Sequence, residues 1–154
     1  MTVIRVALEA DAPAVTACVA AAYAVYVERM SKPPGPMLDD YTKVIAKHTV
    51  FVLTEDNAVI GVVVLIDQDG GLLPDNVAIH PDHQGQGHGD RLMVFAEAEA
   101  RRQGYPSLDL YTHEMMTENI ALYTARGYVE TTRRRVSGYD RVYMRKPLQP
   151  PPDS

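Results

Sequence analysis

The residues best placed to do chemistry fall in the stretch Val77-Ala-Ile-His-Pro-Asp-His-Gln-Gly-Gln-Gly-His-Gly-Asp-Arg-Leu92. Gly85, Gly87 and Gly89 sit between an apolar run and a run of helix formers. Glycines let backbone N–H groups converge without a Cβ in the way, and a helix N-terminus adds about half a positive charge. Together they suit a phosphate or pyrophosphate; the same residues would also make a plain strand-to-helix turn. A Walker-type loop needs Gly-Lys-Ser/Thr, and no lysine lies between Lys47 and Lys146. A dinucleotide loop follows an early strand, whereas several elements precede this one. A second pair, Asn119 and Tyr123, is four residues apart and shares a helix face. The amide can donate and accept hydrogen bonds, and the phenol can act as a general acid; a tyrosine there could equally be packing. His80, His83 and His88 have a spacing that three zinc ligands could use. They fall inside the anion loop, so no metal is expected.

These residues need elements to position them. Ile4 to Ala7 reads as a first strand. Asp11 before Pro13 predicts a helix start, with Val15, Cys18, Ala22, Val25 and Arg29, and Val19 and Tyr26 beside them, as its inward stripe, reaching about Met30. Ser31 to Pro36 holds three prolines and a glycine, which end that helix. A shorter helix is expected over Leu38 to Lys47. Thr49 to Thr54 and Val59 to Ile66 read as a hairpin across Glu55-Asp56-Asn57. Asp69-Gly70-Gly71 predicts a further turn, leading to a strand through Ile79. A helix over Asp90 to Gln103 then makes the next strand, Leu108 to Thr112, parallel to that one. Thr117 to Arg126 reads as a helix stopped by Gly127. Tyr128 to Val136 and Arg141 to Lys146 read as a final hairpin. The fold class is α/β (α+β): a central mixed, mostly antiparallel sheet with one parallel pair, flanked by helices. One domain is expected over 2–147, with a disordered proline-rich tail over 148–154.

Composition narrows the classes. The 154 residues carry a net charge of −5, 46% hydrophobic and 23% charged residues, and one cysteine. That is ordinary globular composition, with no basic surface to hold nucleic acid. Cys18 alone cannot form an internal disulfide. The start lacks the apolar core of a signal peptide, and the longest apolar run, Val59 to Ile66, is too short to span a bilayer. A cytoplasmic protein with no membrane partner is expected.

The two constellations resemble the GNAT superfamily of acyl-CoA-dependent N-acetyltransferases. Its pyrophosphate signature, Gln/Arg-x-x-Gly-x-Gly/Ala, is matched by Gln84 to Gly89, and its preceding strand phrase by Val77-Ala78-Ile79-His80-Pro81. Its second signature is matched more loosely by Asn119, Ala121, Tyr123, Gly127 and Tyr128. The resemblance implies a GNAT fold whose two parallel strands splay to admit the pantetheine arm of acetyl-CoA. Val77, Ala78 and Ile79 would line that arm, Val77 and Ile79 through their backbone groups. Gln84, Gly85, Gln86, Gly87, His88, Gly89 and Asp90 would take the pyrophosphate, with Asn119 and Tyr123 beside the thioester. Tyr123 would be the general acid, and an N–H near Ala78 would stabilise the oxyanion. Asp75 is the candidate base, with Glu114, His80, His113 or ordered water as alternatives. Tyr23, Tyr26, Met30, Met37 and Tyr41 fall where the family builds its acceptor pocket, to which His113, Glu114 and Met115-Met116 add. Arg133 to Arg135 read as a solvated hairpin edge or a face for an acidic partner. The implied activity is direct transfer of an acetyl group to a primary amine in a ternary complex, with a homodimer as a candidate assembly. The competing reading is a catalytically silent CoA-binding sensor or interaction module.

Overall fold

The computed structural model describes residues 1–30, 33–68 and 71–148, the side chains at 68, 71 and 75 excepted. The predicted Asp69-Gly70 turn, the start of the proline-rich link and the tail from 149 onward lie outside the described residues.

Among the described residues seven strands form one sheet: β1 (Thr2–Val6), β2 (Thr49–Glu55), β3 (Ala58–Gln68), β4 (Gly71–Ile79), β5 (Ser107–His113), β6 (Val129–Val136) and β7 (Tyr139–Pro147). Their order is β1-β2-β3-β4-β5-β7-β6, antiparallel at every step except β4–β5. Helices α3 (His88–Arg102) and α4 (Thr117–Ala125) cover one face, where Leu92, Met93, Ala96 and Tyr123 pack on Leu108, Leu110, Val142 and Met144. Helices α1 (Ala12–Val27) and α2 (Tyr41–Lys47) cover the other, through Val15, Cys18, Val19 and Tyr41 on Val50, Val52, Val62 and Val64.

The turns follow from their residues. Asp56 and Asn57 adopt positive φ (51° and 69°) between β2 and β3, and Ser137 and Gly138 do so (52° and 82°) between β6 and β7. Two consecutive left-handed residues match the twist of a two-residue hairpin. Gly61 serves a close approach: a Cβ there would lie 2.8 Å from Ile79 Cδ1 and 3.3 Å from Leu92 Cδ1.

The β4–β5 join positions the site. Among the described residues its parallel pairing is confined to Leu72 with Leu108. On the other side of β4, the register with β3 steps from Val64–Asn76 to Leu65–Pro74, so Asp75 is an inserted residue. Such a bulge bends a strand and increases its twist. Beyond it β4 stays with β3 and leaves β5, opening the gap between them.

Several boundaries differ from expectation. The inward stripe of α1 runs through Ala12, Val15, Cys18, Val19, Tyr23 and Tyr26, while Val25 is 59% exposed and Arg29 is exposed. Alanines on all sides blur the periodicity there. Asp11 does not cap α1. Its carboxylate accepts from Leu8 N–H at 2.7 Å and pairs with Arg5 at 2.7 Å, tying β1 to the helix. The segment Glu9–Val27, 19 residues of mean hydropathy 1.4, is long and apolar enough to cross a membrane by length and composition, so Val59 to Ile66 is not the extreme. Its buried face packs on the sheet. The helix expected over 38–47 is a 3-10 turn at Gly35–Leu38 followed by α2, whose first turn Asp40 caps through Thr42 N–H at 3.1 Å. Leu148 belongs to the fold, not to a free tail: its N–H donates to Pro106 O at 2.9 Å.

Candidate active site

The β4–β5 gap opens onto a groove of about 490 Å³. Val77, Ala78 and Ile79 line it, as do Gln84, Gly85, Gly87, His88, Gly89 and Asp90 at one end and Asn119 and Tyr123 at the other. Of the residues expected at the donor, only Gln86 does not line it; its Oε1 lies 3.2 Å from His88 Nε2. Gly85 and Gly87 hold φ of 80° and 82°, and a Cβ on either would meet open space. The conformation, not crowding, requires glycine there. The first rung of α3 runs from Arg91 N–H to Gly87 O at 3.0 Å. The N–H groups of His88, Gly89 and Asp90 therefore lie ahead of the ladder, and no side chain caps that end. They form a donor cluster at the positive pole of a 15-residue helix. The Asp90 carboxylate, which would oppose an anion, is paired with Arg126.

Backbone direction along β4 corrects one expectation. His80 N–H donates to Ile60 O at 2.9 Å. Alternation along an antiparallel ladder then turns Ala78 N–H to β3 as well. Ala78 N–H is already used and cannot meet an oxyanion. The backbone groups of Val77 and Ile79 face away from β3, into the gap.

At the groove's inner end Tyr123 is 6% exposed, its ring 5.9 Å from Tyr128 and tilted edgewise. Its hydroxyl has no hydrogen bond to any described residue, yet no sealed side-chain N or O among them lacks a partner. The hydroxyl therefore opens into the groove. Burial first, then the Tyr26 phenol, raises its pKa above the ordinary phenol range. Tyr26, expected in the acceptor pocket, instead lines this groove. Burial and the Glu118 carboxylate push its pKa up to about 12. Glu118 is held down to about 2 by Arg29, which it meets at 2.8 Å across the groove between α4 and the end of α1.

A second cavity, of about 230 Å³, adjoins the groove, with Tyr23 lining both. Its walls include Met30, Pro34, Tyr111, His113, Met116 and Tyr139, with Asp39 and Arg141 as charged members. A buried chain sets Tyr23: its hydroxyl donates to Asn76 Oδ1 at 2.9 Å, Asn76 Nδ2 donates to Tyr41 OH at 2.8 Å, and Tyr41 donates to Pro36 O at 2.7 Å. Tyr41 thus stands behind the cavity, holding its wall.

The structure separates the remaining candidates. Met30 and His113 reach the cavity, but His113 Nδ1 accepts from Met115 N–H at 3.1 Å, leaving the proton on Nε2 and no free lone pair for a base. Glu114 is not in the lining and faces Arg133 at 3.7 Å. His80 Nδ1 is used by Asp82 N–H. His83 sits 3.2 Å from Glu55, so the three loop imidazoles turn to different partners, and no metal-holding cluster occurs among the described residues. Asp75 lies at the β4 bulge, with its side chain outside the described residues. Sequence reasoning passed over Asn76, Arg29, Glu118, Asp39, Tyr139 and Arg141. Only Asn76, an amide inside an apolar strand, carried a local signal.

Residues 46–130 match the family described as an acetyltransferase (GNAT) domain. The chain belongs to the GNAT acetyltransferase family. The matched segment holds the glycine loop, α3 and the Asn119–Tyr128 stretch. Solved structures agree in fold. The ribosomal-protein-S18-alanine N-acetyltransferase of Escherichia coli superposes with a TM-score of 0.77 at 23% identity, covering 96% of this chain and 94% of that one. A GNAT acetyltransferase of Elizabethkingia anophelis with acetyl-CoA bound gives 0.76 at 18%, covering 96% and 98%. YncA, an acetyltransferase of Salmonella typhimurium with acetyl-CoA, gives 0.75 at 23%, covering 97% and 95%. No curated protein sequence gave a significant match.

Proposed function

We propose that this GNAT acetyltransferase transfers an acetyl group from acetyl-CoA to a primary amine while both are bound. The observation that carries the reading is one continuous groove with a main-chain anion cluster at one end and the open Tyr123 hydroxyl at the other, beside a separate cavity. The residues fit such a donor. The N–H groups of His88, Gly89 and Asp90, with left-handed Gly85 and Gly87, suit a diphosphate. The N–H groups of Val77 and Ile79, facing the gap, suit an amide-bearing arm laid beside β4; their carbonyls already accept from Tyr23 OH at 3.4 Å and Gln84 Nε2 at 3.1 Å. Acetyl-CoA supplies an activated acyl carbon and a thiol leaving group.

As the amine attacks, a C–N bond forms and the C–S bond breaks. Of the two N–H groups facing the gap, at Val77 and Ile79, the one farther from the loop, at Val77, meets the charge developing on oxygen, and the Ile79 N–H pairs with the arm. Tyr123 donates its hydrogen to the departing sulfur. A thiol's ordinary pKa of about 8.5 lies below the raised phenol, so full proton transfer from Tyr123 runs uphill. Its hydrogen bond in the transition state is therefore its main service. The amine's proton goes to Asp75 or to water.

The test is CoA thiol release from acetyl-CoA across an amine library, with thermal shift by CoA measured alongside. Stabilisation and turnover support the reading. Stabilisation without turnover on any amine points to a silent CoA-binding module, and no stabilisation by CoA overturns the groove assignment.

A further inference from the structure

The β6–β7 hairpin carries an imbalance that its own packing does not resolve. Arg133 pairs with Glu130 at 3.0 Å, Arg135 with Asp140 at 3.5 Å and Arg145 with Asp109 at 2.5 Å. Arg134 and Arg141, directly opposite each other across the two strands, have no carboxylate among the described residues. Like charges facing each other across strands repel. Each guanidinium instead lies over a tyrosine ring: Arg141 is 4.0 Å from the Tyr111 centroid and Arg134 is 4.4 Å from that of Tyr143. Arg141 makes a single hydrogen bond, to Tyr143 OH at 3.3 Å. Stacking fixes the plane of the fork and leaves most of its N–H donors free.

Arg141 is half-buried and lines the cavity that meets the donor groove at Tyr23. Resting on the acetyl-transfer reading above, we propose that Arg141 is the acceptor-recognition residue and that the acceptor is a small aminocarboxylate. Its carboxylate lies on the Arg141 fork and its amine points past Tyr23 to the fork of β4 and β5. Arg134, opposite Arg141 on β6, adds a second positive charge to the same part of the hairpin without lining the cavity. Asp39 also lines the cavity. The space, about 230 Å³ and walled by Met30, Tyr111 and Tyr139, suits the body of an apolar amino acid rather than a folded protein surface.

The experiment uses the full chain with acetyl-CoA and matched acceptor sets. Each set contains an apolar α- or β-amino acid, its carboxamide, its decarboxylated amine and its phosphonate analogue, and kcat/KM is read by CoA thiol release. The expected preference for carboxylate over carboxamide is about tenfold to a hundredfold, the worth of a hydrogen bond to a charged group. In Arg141→Gln that ratio falls toward one, mainly through KM, and Arg141→Lys recovers it in part. Melting curves confirm that both variants are folded. Equal rates for acid and amide, a ratio unchanged in Arg141→Gln, or a phosphonate preferred over the carboxylate overturns the assignment. Turnover confined to uncharged amines overturns it too while leaving acetyl transfer intact, whereas failure to bind CoA strikes the underlying reading instead.

Discussion

Replacing Tyr123 by phenylalanine removes one oxygen and little else. The hydroxyl has no partner among the described residues, so its loss orphans nothing. The ring's contacts with Tyr128 and the α3–α4 core remain. Folding stability should change by less than about 1 kcal/mol, since no packed methylene and no internal hydrogen bond is lost. Catalysis should suffer far more. A hydrogen bond donated to a developing thiolate in a site shielded from water is worth about 2.7 kcal/mol or more, which corresponds to about a hundredfold in kcat. CoA affinity should move by no more than about twofold, because the groove's binding groups are main-chain amides at its other end. Initial rates can be followed by a thiol reagent: Cys18 is buried, its pKa pushed up to about 11, and contributes no fast background. Equilibrium titration gives the CoA affinity. A variant within twofold of wild-type kcat on an acceptor that the wild type turns over would refute the role of Tyr123. Loss of CoA affinity in step with rate would show that the hydroxyl binds the donor instead of serving the leaving group.

Three further outcomes follow from the geometry. Gly87→Asp puts a side chain at φ 82° and a carboxylate at the helix N-terminus; CoA affinity should fall at least about a hundredfold by calorimetry, while Gly87→Ala, which pays only the conformational cost of about 1 kcal/mol, loses much less. Asn76→Leu strips Tyr23 and Tyr41 of a shared buried partner and should cost about 2–4 kcal/mol in urea unfolding; a loss under about 0.5 kcal/mol would refute that chain's importance. Glu118 is held down to about 2 when folded, so the stability it gives is present above its ordinary value near 4.5 and lost as pH falls toward 2. Melting curves between pH about 5 and 3 should show wild type losing more than Glu118→Gln, and parallel curves would remove the Arg29 pair from the account.

Much of this was legible in the residues because local chemistry dictated it. Gly85, Gly87 and the helix formers after them read as a tight strand-to-helix turn able to take an anion, and the turn is there with both glycines left-handed; Asn119 and Tyr123 share a face by helix geometry alone. What stayed hidden depends on register. Nothing in Leu72-Leu-Pro-Asp-Asn-Val-Ala-Ile79 shows that Asp75 is the bulged residue, so neither the point of divergence nor the direction of Ala78 N–H could be assigned before the β3 partners were known. The alanines of α1 blurred its inward face, and Val25 was placed inside on that account. Arg141 was invisible for a different reason. A single arginine opening a strand, right after Asp140, reads as one half of a surface ion pair until Asp140 turns out to pair with Arg135 instead.

The lone Leu72–Leu108 rung has a consequence for how the protein behaves before its donor arrives. Four strands on one side and three on the other meet at this seam through one paired rung and side-chain packing, with α3 lying against both lips. A donor laid along β4 is the missing plank. Amide protons on both lips of the seam should then exchange quickly in the free protein and slow together on CoA binding.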